Sequence, residues 1–386
     1  MAAHARLAPS AASRWMACSG SVALGEKAQS LLGPERQSSY AALGTALHEA
    51  AEHLLGDWDL PNEAVIGMEF HEVTVEENHL DRFIPYVDLV KSLGGEQFYE
   101  VRVILDEELV WGTADAIVIY CKKGIWRMAV IDLKTGSGVT VDAYKNYQLL
   151  VYAIGAFKIF DLLYPIKYID MVISQPATRE TPDVWTVDNL EIEEYHKEIL
   201  IAMARVAEFP TAYTAGEAQC RWCRGKALCP ALAAEVERTN DIVLGEMTAA
   251  NMADALKLVP LVKAWVDGVE DFSKDFMLEG HAVPGYKVVG GRRSRGWEDV
   301  DQAQRYLKAR VPKFQANCFT SKFKSPAQIE TMLRKVEPRK EVDMDKLATW
   351  REGNPTIAKE TDRRESIGPG SRAAADFAEV ANETDD

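Results

Sequence analysis

Asp115 in "GTADAIV" and the pair Asp132 and Lys134 in "VIDLKTG" have the types and spacing that phosphodiester hydrolysis requires. Each acid lies in a strand-like apolar run, "LVWGTADAIVIY" for the first and "RMAVIDLK" for the second. Two adjacent strands would carry both carboxylates to one end of a sheet, with the lysine two residues beyond the second. Carboxylate oxygens are the hard donors that suit Mg²⁺ or Mn²⁺, and such a cation offsets the charge that develops on phosphate. A neighbouring ammonium orients water and stabilises the same charge.

Elements further along the chain must hold these groups. The stretch "YKNYQLLVYAIGAF" reads as an amphipathic helix over 144–162 that puts Gln148 and Tyr152 on one face at i and i+4. Upstream, "SSYAALGTALHEAAEHLL" is a second helix, with His48 four residues after Gly44. Glu100 sits in "FYEVRVIL", a strand whose alternate residues share one side of the sheet.

This order, His, Glu, Asp, Asp-x-Lys, Gln-x-x-x-Tyr, resembles the RecB-like branch of the PD-(D/E)XK nucleases over roughly residues 12–235. Its most specific parts are "GTADAI", "IDLKTG" and "YQLLVYA". The resemblance implies a restriction-endonuclease-like α/β core, with a mixed central sheet flanked by helices. It makes His48, Glu100, Asp115, Asp132 and the backbone carbonyl of Leu133 ligands of Mg²⁺ or Mn²⁺. Lys134 becomes the catalytic lysine, and Gln148 and Tyr152 support it and the substrate. The implied activity is a DNA exonuclease of phage recombination type, acting by in-line attack of water on phosphorus. Duplex ends or single strands would be the substrate, and a single-strand-binding or annealing protein the partner. An oligomer is compatible with that setting.

The cysteines form a separate argument. Three of the six, Cys220, Cys223 and Cys229, make a C-x2-C-x5-C cluster in "CRWCRGKALCP". Thiolates this close suit zinc or an iron–sulfur cluster, and a fourth ligand is needed from Cys18, Cys121 or Cys318. One N-terminal cysteine plus a C-terminal C-x2-C-x5-C resembles the iron–sulfur staple of AddB-type nucleases. That resemblance selects Cys18 and a [4Fe–4S] cluster, with structural Zn²⁺ as the alternative.

A chain of 386 residues, 47% apolar, can bury a full core and hold more than one domain. No apolar run approaches the roughly 20 residues that span a bilayer, and "MAAHARLAPSAASRW" has no hydrophobic signal core. The expectation is a cytoplasmic protein, in a bacterium or a phage-infected host, with reduced metal-binding thiols. The formal charge of −15 runs against phosphate contact, which is largely the work of Lys and Arg, so a narrow basic groove is required.

Three regions are expected: a nuclease-like domain over 1–240 closed by the cysteines, a mainly helical region over 241–354, and a tail without fixed structure over 355–386. In the first, helices are expected at 41–56 and 76–93 and strands at 97–105, 110–120 and 126–133. Another strand falls on "IKYIDMVISQP", a short one on "DVWTV", and a long helix over 189–208. The second carries "PGYKVVGGRRSRGWED", where Arg292, Arg293 and Arg295 among glycines could contact DNA phosphates and Trp297 anchors a core. Tyr144 and Tyr147 are read as helix packing.

Two other functions compete. The same fold could be a non-catalytic DNA-end-binding module, although every residue the chemistry needs is present. The motif "HEAAEH" also matches a zinc-peptidase pattern with His48, Glu49 and His53. Residues five apart lie about 140° apart on a helix, however, so both histidines reach one ion only if the helix bulges.

Overall fold

A computed structural model describes residues 5–35, 38–240, 248–297, 300–319, 324–336, 342–344, 346–359 and 361–367. The chain divides into two compact units, residues 1–269 and 270–386. That boundary lies about thirty residues beyond the one expected from sequence, because Leu261, Ala264 and Trp265 pack with Leu24, Cys220, Cys229 and Leu232 of the first unit.

The first unit opens with α1 (Ala12–Ala17), α2 (Gly20–Leu32) and α3 (Ser39–Gly56). A hairpin of β1 (Glu69–Phe70) and β2 (Val73–Thr74) leads to α4 (Ile84–Leu93). Strands β3 (Glu96–Asp106), β4 (Val110–Lys122) and β5 (Ile125–Leu133) form a meander. Helix α5 (Tyr147–Phe160) then crosses over to β6 (Ile166–Ser174), which pairs parallel with β5. Strand β7 (Asp183–Asp188) closes the edge, and α6 (Asn189–Glu208), α7 (Glu217–Arg221) and α8 (Pro230–Glu237) follow. The result is an α/β fold on a five-stranded mixed sheet of order β3-β4-β5-β6-β7.

Both faces of the sheet are covered, so its central strands are apolar on both sides. On one face α1, α5 and α6 pack on Val103, Ile117, Ile119, Met128 and Val130. On the other, α3 and α4 pack on Ala116, Val118, Ala129, Ile131 and Leu133. Helix α5 is buried without a break from Leu149 to Phe157, as a crossover between sheet and α6 must be. Burying each Leu or Ile there stabilises by about 2 kcal/mol.

Local chemistry sets where these helices begin. The Asn146 side chain accepts from the amides of Gln148 and Leu149, so α5 starts at Tyr147, three residues later than its periodicity suggests. The expected helix over 76–93 splits into a 3₁₀ turn (Glu77–Arg82) and α4. Pro85 has no N–H and is tolerated only in a first turn, which fixes the new start at Ile84.

Helix α9 (Ala249–Leu278) passes through Pro260, whose missing bond falls at the exposed Leu256. In the second unit, β8 (Tyr286–Trp297) pairs antiparallel with β9 (Ala348–Lys359), and α10 (Val300–Lys308), α11 (Phe314–Cys318) and α12 (Pro326–Val336) lie between them in sequence. The stretch read as a featureless tail from 355 therefore begins inside a strand: Thr356 and Ile357, both β-branched, pair with Val289 and Val288. Trp297 is a core anchor whose indole donates to the Lys324 carbonyl at 2.9 Å. Arg292, Arg293 and Arg295 lie on β8, and their side chains are outside the described residues.

Candidate active site

The sheet carries a break in its alternation where the site forms. On β3, Tyr99 packs on the α3/α4 face while Val101 and Val103 pack on the α5 face. On β4, Ala114 faces α5 and Ala116 faces α3. In regular strands residues two apart share a face, so both strands switch phase between these positions. Glu100 and Asp115 sit at the two switches, and Glu100 takes the left-handed backbone (φ 48°) that a glutamate adopts only under constraint.

The switch turns both carboxylates toward α3. There His48 Nδ1 lies 3.4 Å from Asp115 Oδ1. One donor atom from each of His48, Glu100 and Asp115 lies within 4.8 Å of the other two, a spacing that could hold a cation. An open groove around them is lined by Gly44, Thr45, Glu49, Glu52 and the three donors. Burial raises the pKa of Glu100 to about 7, and repulsion by Asp115 and Glu52 adds to it. Burial works against a charged His48, but the hydrogen bond and charge of Asp115 outweigh it and raise its pKa above the ordinary histidine value.

The second half of the site lies at the end of β5. Asp132 is buried and its Oδ1 accepts from Gln148 Nε2 at 3.0 Å. Its Oδ2 has Lys134 Nζ at 2.7 Å as counter-charge, but finds no well-directed hydrogen bond among the described residues. The ion pair dominates there, because charge attraction depends little on angle. Gln148 ties the group together: its Oε1 accepts from Lys134 Nζ at 3.2 Å, and its Nε2 also donates to Tyr152 Oη at 3.2 Å. Burial pushes the Asp132 carboxyl upward against the pull of Lys134. Burial disfavours the Lys134 ammonium, but Asp132 and Asp115 outweigh it and raise its pKa. The two halves touch through the Leu133 amide, which donates to Asp115 Oδ2 at 2.7 Å.

Not every residue falls where the sequence put it. Asp132 stands outside the three-donor group of His48, Glu100 and Asp115, held instead in the Lys134–Gln148 network. Glu49 is engaged by His71 at 2.5 Å and the exposed His53 ring lies 6.1 Å from Phe70; His48 gathers with Glu100 and Asp115, a group that includes neither Glu49 nor His53. Tyr147 does pack and bonds Glu198, whereas Tyr144 stands 66% exposed. One residue was missed. Gln175, buried at the end of β6, donates to the carbonyls of Gly136 and Val139 and accepts from the Val141 amide, fastening the loop after Lys134. A polar residue closing the apolar run "YIDMVIS" was the available signal.

Cys18 lies at the end of α1, where its sulfur accepts from the Thr214 amide at 3.3 Å. Cys18, Cys220, Cys223 and Cys229 are all buried. Burial raises the thiol pKa of Cys220 and Cys223, and Cys18 contributes to both shifts. Cys121 is exposed and Cys318 is buried in the second unit. Among the described residues the thiols form no group whose sulfurs all lie within 4.8 Å.

No helix among the described residues is long and apolar enough to cross a membrane. A family model described as "Protein of unknown function (DUF2800)" matches residues 4–365. With nearly its whole length matched, the sheet and the site included, the chain belongs to that family.

Proposed function

We propose that this protein is a metal-dependent deoxyribonuclease of the RecB-like PD-(D/E)XK type, acting as an exonuclease on DNA ends. The observation that carries the reading is the joining of two chemically different halves across one backbone amide. Three donors of mixed carboxylate and imidazole type gather on the α3 side. A buried carboxylate paired with a lysine, and bridged to a helix glutamine and tyrosine, lies on the α5 side.

The donor set fits a hard divalent cation. Two carboxylates and one imidazole suit Mn²⁺ or Mg²⁺. His48, Glu100 and Asp115 would hold the ion, with Asp132 and the Leu133 carbonyl next to them. When bound, the ion supplies charge neutralisation at the phosphate. Lys134, kept charged by Asp132, is set to orient the attacking water and to offset charge in the transition state. Gln148 fixes the ammonium, and Tyr152 fixes Gln148.

A [4Fe–4S] cluster on Cys18, Cys220, Cys223 and Cys229 belongs to the same proposal, as does a reducing cytoplasmic setting. The four thiols are buried, and structural Zn²⁺ is the alternative occupant.

The test is incubation of linear duplex, closed circles and single strands with Mg²⁺ or Mn²⁺. Loss of linear DNA from its ends, abolished by EDTA and by Lys134→Ala, is the expected result. Binding of DNA without cleavage under either metal would instead favour a non-catalytic end-binding module.

A further inference from the structure

Just before α5, the helix that carries Gln148, stands an aromatic cluster with an exposed outer end that the cleavage chemistry does not use. The Tyr144 ring packs edge-on against Trp185 at 5.4 Å, and Trp185 packs edge-on against Tyr195 at 5.3 Å. Trp185 and Tyr195 are partly buried against the core, which anchors the stack, while Tyr144 at its outer end is 66% exposed. The ammonium of Lys145 lies 5.6 Å from the Tyr144 ring centre, and Lys145 holds a left-handed backbone (φ 52°).

The stack is rigidly tied to the site. The Ala143 amide donates to Asp183 Oδ2 at 2.7 Å, and Arg179 pairs with Asp183 at 3.2 Å. Asp183 and Trp185 both belong to β7, so this bond ties the residue before Tyr144 to the strand that carries the wall behind it. Four residues later comes Gln148, bonded to both Asp132 and Lys134. Four residues of chain span at most about 14 Å, a reach of a few nucleotides.

Resting on the nuclease reading, we propose that Tyr144, backed by Trp185 and Tyr195, is a shelf on which an unpaired base of the substrate strand stacks. An exposed ring already held in place gives up little freedom on binding, and every base offers a π-face to it. The exposed element here is a ring face, and the Arg179 guanidinium is committed to Asp142 and Asp183. Lys145 is the cation positioned at the ring itself, where it can meet the strand between bases.

The experiment compares a labelled oligo(dT) with an abasic strand of equal length by fluorescence anisotropy. Ca²⁺ replaces Mg²⁺ so that binding is read without cleavage. Wild type should prefer oligo(dT) by about tenfold, as base–aromatic stacking of ordinary strength gives. Tyr144→Ala should abolish the preference with an unchanged melting temperature, and Tyr144→Phe should keep it. Equal affinity of wild type for both strands, or a preference retained in Tyr144→Ala, would overturn the shelf. Cleavage of linear duplex by wild type is read separately in Mg²⁺ or Mn²⁺. Cleavage without base preference sinks the shelf alone, and base preference without cleavage sinks the nuclease reading alone.

Discussion

Lys134 and Asp132 each lose a partner when the other is replaced, so their variants test one unit. Lys134→Ala should lower cleavage at least about 10³-fold with DNA binding retained, because the ammonium acts mainly on the transition state. Asp132→Asn keeps the Gln148 bond but removes the charge that holds Lys134 protonated, and should fall as far in single-turnover assays. The donor group on the α3 side makes a prediction about pH. Glu100, with its pKa raised to about 7, is neutral below that value, and the Asp115 carboxylate makes His48 hold its proton more tightly than an ordinary histidine. Metal binding must displace protons from both. Mn²⁺ affinity should therefore rise with pH through neutrality, with proton release visible in calorimetry in buffers of different ionisation enthalpy. Glu100→Gln should remove its share of that release; an unchanged pH dependence in that variant would exclude Glu100 from the ligand set.

The strands are pinned to one another by a buried polar network away from the site. Asp170 on β6 accepts from Tyr120 on β4 at 2.7 Å, from Thr186 on β7 at 2.6 Å and from the Arg127 guanidinium on β5. Burial works to raise its pKa, but these donors outweigh it and hold the carboxyl below the ordinary aspartate value. A folded pKa below the unfolded one contributes stability that is present above about pH 4 and fades as pH falls through the folded value. Asp170→Asn should thus cost about 3 kcal/mol at neutral pH, read by urea unfolding, and the deficit should shrink under acid. Much at this scale was legible. The meander, the crossover helix and the strand after it follow from alternation and from 3.6-residue periodicity, and Asp132, Lys134, Gln148 and Tyr152 fell together because they sit at the ends of such elements. The switch at Glu100 was not legible, since nothing in "FYEVRVIL" announces a left-handed glutamate; the facing strand imposes it. Gln175 and β9 were hidden for the same reason: each depends on a partner distant in sequence.

Across the whole molecule, the proposed cluster on Cys18, Cys220, Cys223 and Cys229 is the part that colour and metal content test directly. Protein purified without oxygen should be brown and hold about four irons per chain, and Cys18→Ser should bleach it as fully as Cys223→Ser. Colourless protein with one zinc would retire the cluster and leave the sheet untouched. The net charge of −15 makes the Arg292, Arg293 and Arg295 strand the natural place to look for phosphate contact. Changing all three to Ala should lower the salt dependence of DNA binding by up to about three units of slope, with cleavage at saturation unchanged. The N-terminal helices are made long before the residues they pack against. Ser19 bonds the Phe209 and Ala212 carbonyls, Arg14 bonds the Trp222 carbonyl, and Leu24 packs beside Cys220 and Cys229. Ser19 and Ala212 are 193 residues apart, so at about 5–20 residues per second a ribosome needs roughly 10–40 s to supply the seat. For that interval the apolar side of α2 has nowhere to go, and a nascent chain stalled before residue 209 is left with that surface open to chaperones and proteases.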